Sequence, residues 1–133
     1  MAAGSNHAPS KLLVIVVDDD AAVRDSLKFS LETEGFRVRA FSSGAELLES
    51  SQNEVPSCLV IDQNMPGIAG LELIEMMRAR HAGAPAILIT GHPSGALKRR
   101  AESASIPIVE KPLLGTLLVD VIRHSIAAAA QRR

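Results

Sequence analysis

A chain of 133 residues that is 47% hydrophobic and 22% charged has room for one domain with a real core, and is too apolar to be disordered throughout. Its 14 basic and 15 acidic residues leave a formal charge of −1, which removes the net positive field that non-specific nucleic-acid binding draws on. With no Trp, no Tyr and three Phe there is no stacking platform for single strands, and the longest aliphatic run, residues 12–17, is far too short to span a bilayer. The expectation is a soluble, cytoplasmic protein without direct nucleic-acid or membrane contact.

Residues 1–10 lack a basic stretch followed by an apolar core, so they are expected to be a flexible tail rather than a secretion signal. Residues 12–17 form a continuous aliphatic, largely β-branched run, the pattern of a strand covered on both faces, and the run ends in Asp18, Asp19 and Asp20. Val23, Leu27 and Leu31 then recur at four-residue spacing, and Gly35 closes that helix. Residues 37–41 alternate as a half-exposed strand. Ser43 and Glu46 read as a capping box opening a short helix that carries Leu47 and Leu48. Residues 57–61 are a third strand that delivers Asp62 to its end and contains the single cysteine, Cys58, expected to be a buried, inert thiol. Residues 70–81 are predicted helical, with Leu71, Ile74 and Met77 on one face, and residues 85–90 form a fourth strand. A weaker helix over 94–105 carries Leu97, Ala101 and Ala104, and a short strand over 106–109 contains Pro107, which suits an edge. Pro112 is read as opening a final helix in which Leu114, Leu117, Leu118, Val121 and Ile122 keep a helical rhythm. Residues 128–133 are expected to fray as a C-terminal tail or a truncated linker.

Five strands alternating with five helices over about 120 residues imply a parallel sheet with helices on both faces. Such sheets gather functional groups beyond the carboxyl ends of their strands. Those ends carry Asp18, Asp19 and Asp20, then Asp62, Thr90 and Lys111. Clustered carboxylates raise one another's pKa unless a cation neutralises them, so the set implies a divalent metal, and oxygen-only ligands favour magnesium. Asp62 is then the nucleophile and Lys111 the charge clamp of phosphoryl chemistry. Taken singly, each residue keeps a plainer reading: Asp20 suits a helix cap, Asp18 and Asp19 suit a turn, Thr90 precedes Gly91, and Lys111 is a solvated lysine. Only a shared site explains why successive core strands end in complementary groups.

Four motifs occur in order: Val16-Val17-Asp18-Asp19-Asp20; Asp62-Gln63-Asn64-Met65-Pro66-Gly67 with Gly70-Leu71-Glu72; Ile89-Thr90-Gly91-His92; and Glu110-Lys111-Pro112. Together they resemble the receiver domains of bacterial two-component response regulators, over residues 11–127, and residues 18–27 together with Thr90-Gly91-His92 look most like receivers of the nitrogen-fixation-regulator type. The resemblance implies a chemotaxis-regulator-like, flavodoxin-like α/β fold, a five-stranded parallel sheet of order 2-1-3-4-5 with five helices on both faces. It implies that Asp62 accepts a phosphoryl group in a phosphorelay, from a partner histidine kinase or phosphotransfer protein or from acetyl phosphate. Asp19, Asp62 and the Asn64 backbone carbonyl would hold Mg2+, or Mn2+, directly, and Asp18 would reach it through water. Lys111, Thr90 and Asp18 would complete the phosphoryl pocket, with Thr90 moving to switch a surface around the fourth and fifth strands. Lys111-Pro112 resembles the family's frequent cis peptide. On this reading the chain is a signalling receiver, not an enzyme, and catalyses only its own phosphoryl transfer and autodephosphorylation. Its output goes to a downstream protein or a fused output domain, and its last helix could support a homodimer.

The sequence departs from that pattern in two places. The switch aromatic three residues before the lysine is Ile108 here, and a β-branched side chain cannot copy the rotation of a ring, so a damped switch is expected. Thr90 and Lys111 are 21 residues apart, one fewer than expected of relatives, which predicts a shortened or irregular fourth helix. Gln63 and His92 are expected to flank the pocket and tune access of water, with a solvent-facing loop as the other reading of His92. Phe29, Phe36 and Phe41 are read as core or helix-packing residues. Two rival functions remain. A haloacid-dehalogenase-type phosphatase needs a second Asp two residues after its nucleophile, where this chain has Asn64. A phosphorylation-independent receiver-like interaction module, suggested by Ile108, would have no need for the acidic cluster.

Overall fold

The computed structural model describes residues 11–51 and 53–132; the tail expected over 1–10 lies outside them. Strands β1 (Leu13–Val17), β2 (Arg37–Phe41), β3 (Cys58–Asp62), β4 (Ala86–Thr90) and β5 (Ile108–Glu110) alternate with helices α1 (Ala21–Thr33), α2 (Gly44–Glu49), α3 (Gly70–Arg80), α4 (Gly95–Ser103) and α5 (Leu117–Gln131). The strands form one sheet in the order β2-β1-β3-β4-β5, every pairing parallel. This is the flavodoxin-like order, with the reversal between β1 and β3.

The sequence dictates this layering through its strand composition. Every residue of β1, β3 and β4 is buried, as uninterrupted aliphatic runs require of strands covered on both faces. Because side chains alternate across a strand, each run feeds two cores. Ile15, Val17, Leu59, Ile61 and Leu88 pack with Leu47 of α2, Leu71 and Met77 of α3 and Ala101 of α4. Val14, Val16, Val60, Ile87 and Ile89 pack on the other face with Leu27 and Leu31 of α1 and Leu118 and Ile122 of α5. Each such aliphatic side chain contributes about 1.5–3 kcal/mol on burial. Cys58 is buried among them, and burial pushes its thiol up to about 12, so it is inert at neutral pH.

Helix starts follow the local capping chemistry. Asp20 caps α1 by accepting from the N–H groups of Ala22 and Val23. Ser43 caps α2 by accepting from Glu46 N–H, while the Glu46 carboxylate reaches back to Ser42 N–H, one residue earlier than a capping box requires.

Several expectations need correction. Pro112 does not open α5: Gly115 takes a left-handed turn, φ 67°, and the helix starts at Leu117, leaving Leu114 74% exposed and Leu117 on the surface. The alanine run does not fray at 128, since alanine is the best helix former and α5 continues to Gln131. β5 begins two residues later than expected, because Pro107 has no N–H for the ladder; only its carbonyl joins, accepting from Leu88 N–H. α4 is a regular nine-residue helix, shorter than the span read from sequence, and its irregularity is confined to the left-handed Ser105 that follows it. Phe36 and Phe41 are core residues, but Phe29 is 73% exposed on α1.

Candidate functional site

Asp62 and Thr90 are the last residues of β3 and β4, while Asp18 and Lys111 directly follow β1 and β5. Parallel pairing therefore brings all four to one rim of the sheet. Asp18, Asp62 and Thr90 are the buried polar residues of the described chain, at 1%, 3% and 1% exposure, whereas Asp19 is exposed beside them. Burying two carboxylates side by side is unfavourable unless charge is supplied. Lys111 supplies one unit: its Nζ stands 3.4 Å from Asp62 Oδ2 and 3.5 Å from Asp18 Oδ2. The peptide bond from Lys111 to Pro112 is cis, in accord with the motif's resemblance.

One ammonium does not balance the site. Burial pushes the Asp62 carboxyl above the usual carboxylate range and the Asp18 charge pushes it further, against the pull of Lys111 and of the Asn64 N–H. The Lys111 ammonium is disfavoured by burial, but the attraction of Asp18 and Asp62 outweighs that and raises its pKa. Asp18 Oδ1 accepts from Asp20 N–H at 2.9 Å, while the buried Asp18 Oδ2 has no hydrogen-bond partner. Asp18, Asp19 and Asp62 each bring a carboxylate oxygen within 4.8 Å of the others. An all-oxygen donor set with a carboxylate oxygen that receives no hydrogen bond, and surplus negative charge, fits a hard divalent cation such as magnesium.

The backbone around the rim is tightly fixed. Gly70 begins α3 so close to the end of β3 that a Cβ there would lie 2.5 Å from the Asp62 carbonyl oxygen, so only glycine allows the approach. Ala69, at the cap position, offers no side chain to α3. Gln63 takes that task, its Oε1 accepting from Leu71 N–H at 2.9 Å. Its side chain is thereby committed to a helix end. His92 lies in the loop after β4, along the wall of a cavity of about 770 Å³ shared with α1 and the β5–α5 loop.

Two contacts were not legible in the sequence. Arg24 of α1 donates from Nη1 to the Asp18 carbonyl oxygen at 2.8 Å, tying the first helix to the acidic turn. The Asn64 amide donates from Nδ2 to Thr90 Oγ1 at 3.3 Å. Its position two residues after Asp62 is the one signal of this contact in the sequence.

A doubly wound sheet of order 2-1-3-4-5 with an aspartate and lysine cluster at its carboxyl rim is the arrangement of a signalling receiver domain. Residues 14–123 match the response regulator receiver domain family, and the chain belongs to it. Among curated relatives it is 37% identical over 125 residues to the transcriptional regulatory protein FixJ of Azorhizobium caulinodans, covering 93% of this chain and 59% of that protein. It is 34% identical over 131 residues to nodulation protein W of Bradyrhizobium diazoefficiens, covering 98% of this chain and 58% of that protein. The chain thus spans less than two-thirds of the length of these relatives. Among solved structures, a CheY-like receiver domain protein from Methanospirillum hungatei superposes with a TM-score of 0.85 at 27% identity, covering 93% of this chain and all of that one. The response regulator StyR superposes at 0.80 with 36% identity, covering 93% and 63%. No helix among the described residues is long and apolar enough to cross a membrane.

Proposed function

We propose that Asp62 is the phosphoacceptor of this receiver and that the aspartate cluster works with magnesium. The observation that carries this reading is the single ammonium of Lys111 set between the carboxylates of Asp62 and Asp18, one positive charge against two negative ones, while Asp18 Oδ2 receives no hydrogen bond. Asp19, Asp62 and the Asn64 backbone carbonyl would hold the ion, Mn2+ being able to serve in its place, and Asp18 would reach it through water. Bound there, magnesium supplies the positive charge that lets an anionic carboxylate approach an anionic phosphorus.

The chain's own residues do the rest. An Asp62 oxygen forms the new bond to phosphorus as the bond to the imidazole nitrogen of a phosphohistidine, or to the acetate oxygen of acetyl phosphate, breaks; the leaving group keeps that electron pair. Lys111 meets the charge that develops on the transferring oxygens. Thr90 donates to one phosphoryl oxygen of the product, an acyl phosphate, which the same pocket later opens to water. Residues 11–127 make up this cytoplasmic module, served by a histidine kinase or phosphotransfer protein. It acts on a downstream protein or a fused output domain through the surface around β4 and β5. Ile108 at the start of β5 has no ring to turn inward, so the response over residues 91–110 is small.

Intact mass tests the reading. After incubation with magnesium and acetyl phosphate the wild type gains one phosphoryl group and Asp62→Asn gains none. An unmodified wild type would favour the phosphorylation-independent interaction module that Ile108 suggests.

A further inference from the structure

We propose that the side chain of Asn64 is a positioning group for Thr90, setting the direction in which the Thr90 hydroxyl donates. The inference rests on the phosphoacceptor reading and adds a side chain that the reading does not use. Asn64 Nδ2 donates to Thr90 Oγ1 at 3.3 Å, and the backbone N–H of the same residue donates to Asp62 Oδ1, also at 3.3 Å. Residue 64 therefore touches both the acceptor carboxylate and the hydroxyl that ends the neighbouring strand.

Thr90 is 1% exposed, and among the described residues the Asn64 amide is the hydrogen-bond partner of its hydroxyl. An amide NH2 group only donates, so the hydroxyl oxygen must accept, and its proton is turned away from residue 64. That proton is left free for an oxygen arriving on Asp62. A hydroxyl that already accepts one hydrogen bond is also polarised toward donating another. A side chain at position 64 that accepted instead would capture the proton and leave Thr90 facing the phosphoryl group with lone pairs. Ile108, beside Leu88 of β4 in the sheet, brings no polar atom that could share the task.

The test is a mutant cycle on the rate of phosphoryl gain from acetyl phosphate with magnesium, followed by intact mass, with the thermal midpoint of each variant as a folding check. Asn64→Leu slows the reaction roughly two- to tenfold, the range a single neutral hydrogen bond commands, and Asn64→Gln, which keeps a donor, recovers part of the loss. In a Thr90→Val background Asn64→Leu has no further effect, because no hydroxyl remains to be directed. In the resting protein the Thr90 methyl resonance shifts in Asn64→Leu and returns toward its wild-type position in Asn64→Gln. Equal slowing by Asn64→Leu in the wild-type and Thr90→Val backgrounds, or an unmoved Thr90 methyl, overturns the proposal and leaves the phosphoacceptor reading intact. A wild type that gains no phosphoryl group overturns both.

Discussion

Lys111 Nζ lies 3.4 Å from Asp62 Oδ2 although the two residues sit 49 positions apart in sequence, at the ends of strands separated by β4. The same nitrogen is 3.5 Å from Asp18, so one side chain, 31% exposed, is shared by two buried carboxylates and offsets one of their two charges. Lys111→Met keeps most of the aliphatic volume and removes the charge. The phosphoryl-transfer rate from acetyl phosphate is expected to fall roughly a hundredfold, the scale of losing one preorganised stabilising group. Stopped-flow or mass kinetics check this, and a variant within twofold of wild type would remove Lys111 from the reaction.

Asp62 also predicts a pH dependence. Its carboxyl is raised first by burial and then by Asp18, so the folded chain keeps that proton to higher pH than the unfolded chain does. Between the ordinary aspartate value, about 3.9, and the higher folded value the native state binds more protons, and stability falls as pH rises. Asp62→Asn lacks this titration. Its stability relative to wild type is expected to increase from pH 4 to pH 7. Urea unfolding at the two pH values measures the difference, and an advantage that shrinks toward pH 7 contradicts the assignment.

The Asp18 oxygen that receives no hydrogen bond and the exposed Asp19 predict linkage to metal. Magnesium is expected to stabilise the wild type by about 2.7 kcal/mol at a hundredfold excess over Kd, raising its melting midpoint in a concentration-dependent way that chelation reverses. Asp19 is on the surface, so Asp19→Asn costs little folding stability and should lose most of the magnesium effect. An undiminished shift in that variant would place the ion elsewhere.

The strand runs and the residues at their ends were legible because a buried parallel strand must be aliphatic along its whole length, and a polar residue closing such a run has few structural reasons to be there. Asp18, Asp62, Thr90 and Lys111 could be read from that contrast, and the sheet order followed from the family resemblance. The missed features depend on backbone geometry that no periodicity encodes. Pro112 looks like a helix start, but the left-handed Gly115 delays α5 to Leu117. Phe29 holds a helical position that faces solvent, because Leu27 and Leu31 define the buried stripe of α1. Gln63 stands next to the acceptor in sequence, yet its side chain turns along the loop to a helix eight residues on.

That contact gives Gln63 a prediction opposite to the one its position invites. Gln63→Ala leaves the first turn of α3 without its side-chain acceptor, and helix caps of this kind are worth about 1 kcal/mol. The variant is expected to lose that much stability in denaturant while its acyl phosphate hydrolyses within twofold of the wild-type rate. Unchanged stability with a several-fold change in hydrolysis would return Gln63 to the water-gating part read from sequence.

Gly35 and Ser105 occupy equivalent places after two helices. Behind α1, Gly35 adopts φ 101°, its N–H donating to Glu32 O while Phe36 N–H donates to Leu31 O. Behind α4, Ser105 adopts φ 56°, its N–H donating to Glu102 O at 3.0 Å while Ile106 N–H donates to Ala101 O at 2.8 Å. Both ends satisfy their carbonyls through a left-handed residue, which glycine adopts freely and which costs a residue with a Cβ about 1–2 kcal/mol. Glycine returns part of that gain through the greater freedom of its unfolded chain. Ser105→Gly is therefore expected to stabilise the protein by about 0.5–1 kcal/mol, a rise of a few degrees in melting midpoint. Because this turn leads into the start of β5, at the opposite end of the sheet from Asp62, the rate of phosphoryl gain should stay at the wild-type value. A lowered midpoint would mean that the serine side chain stabilises the turn by more than its backbone conformation costs.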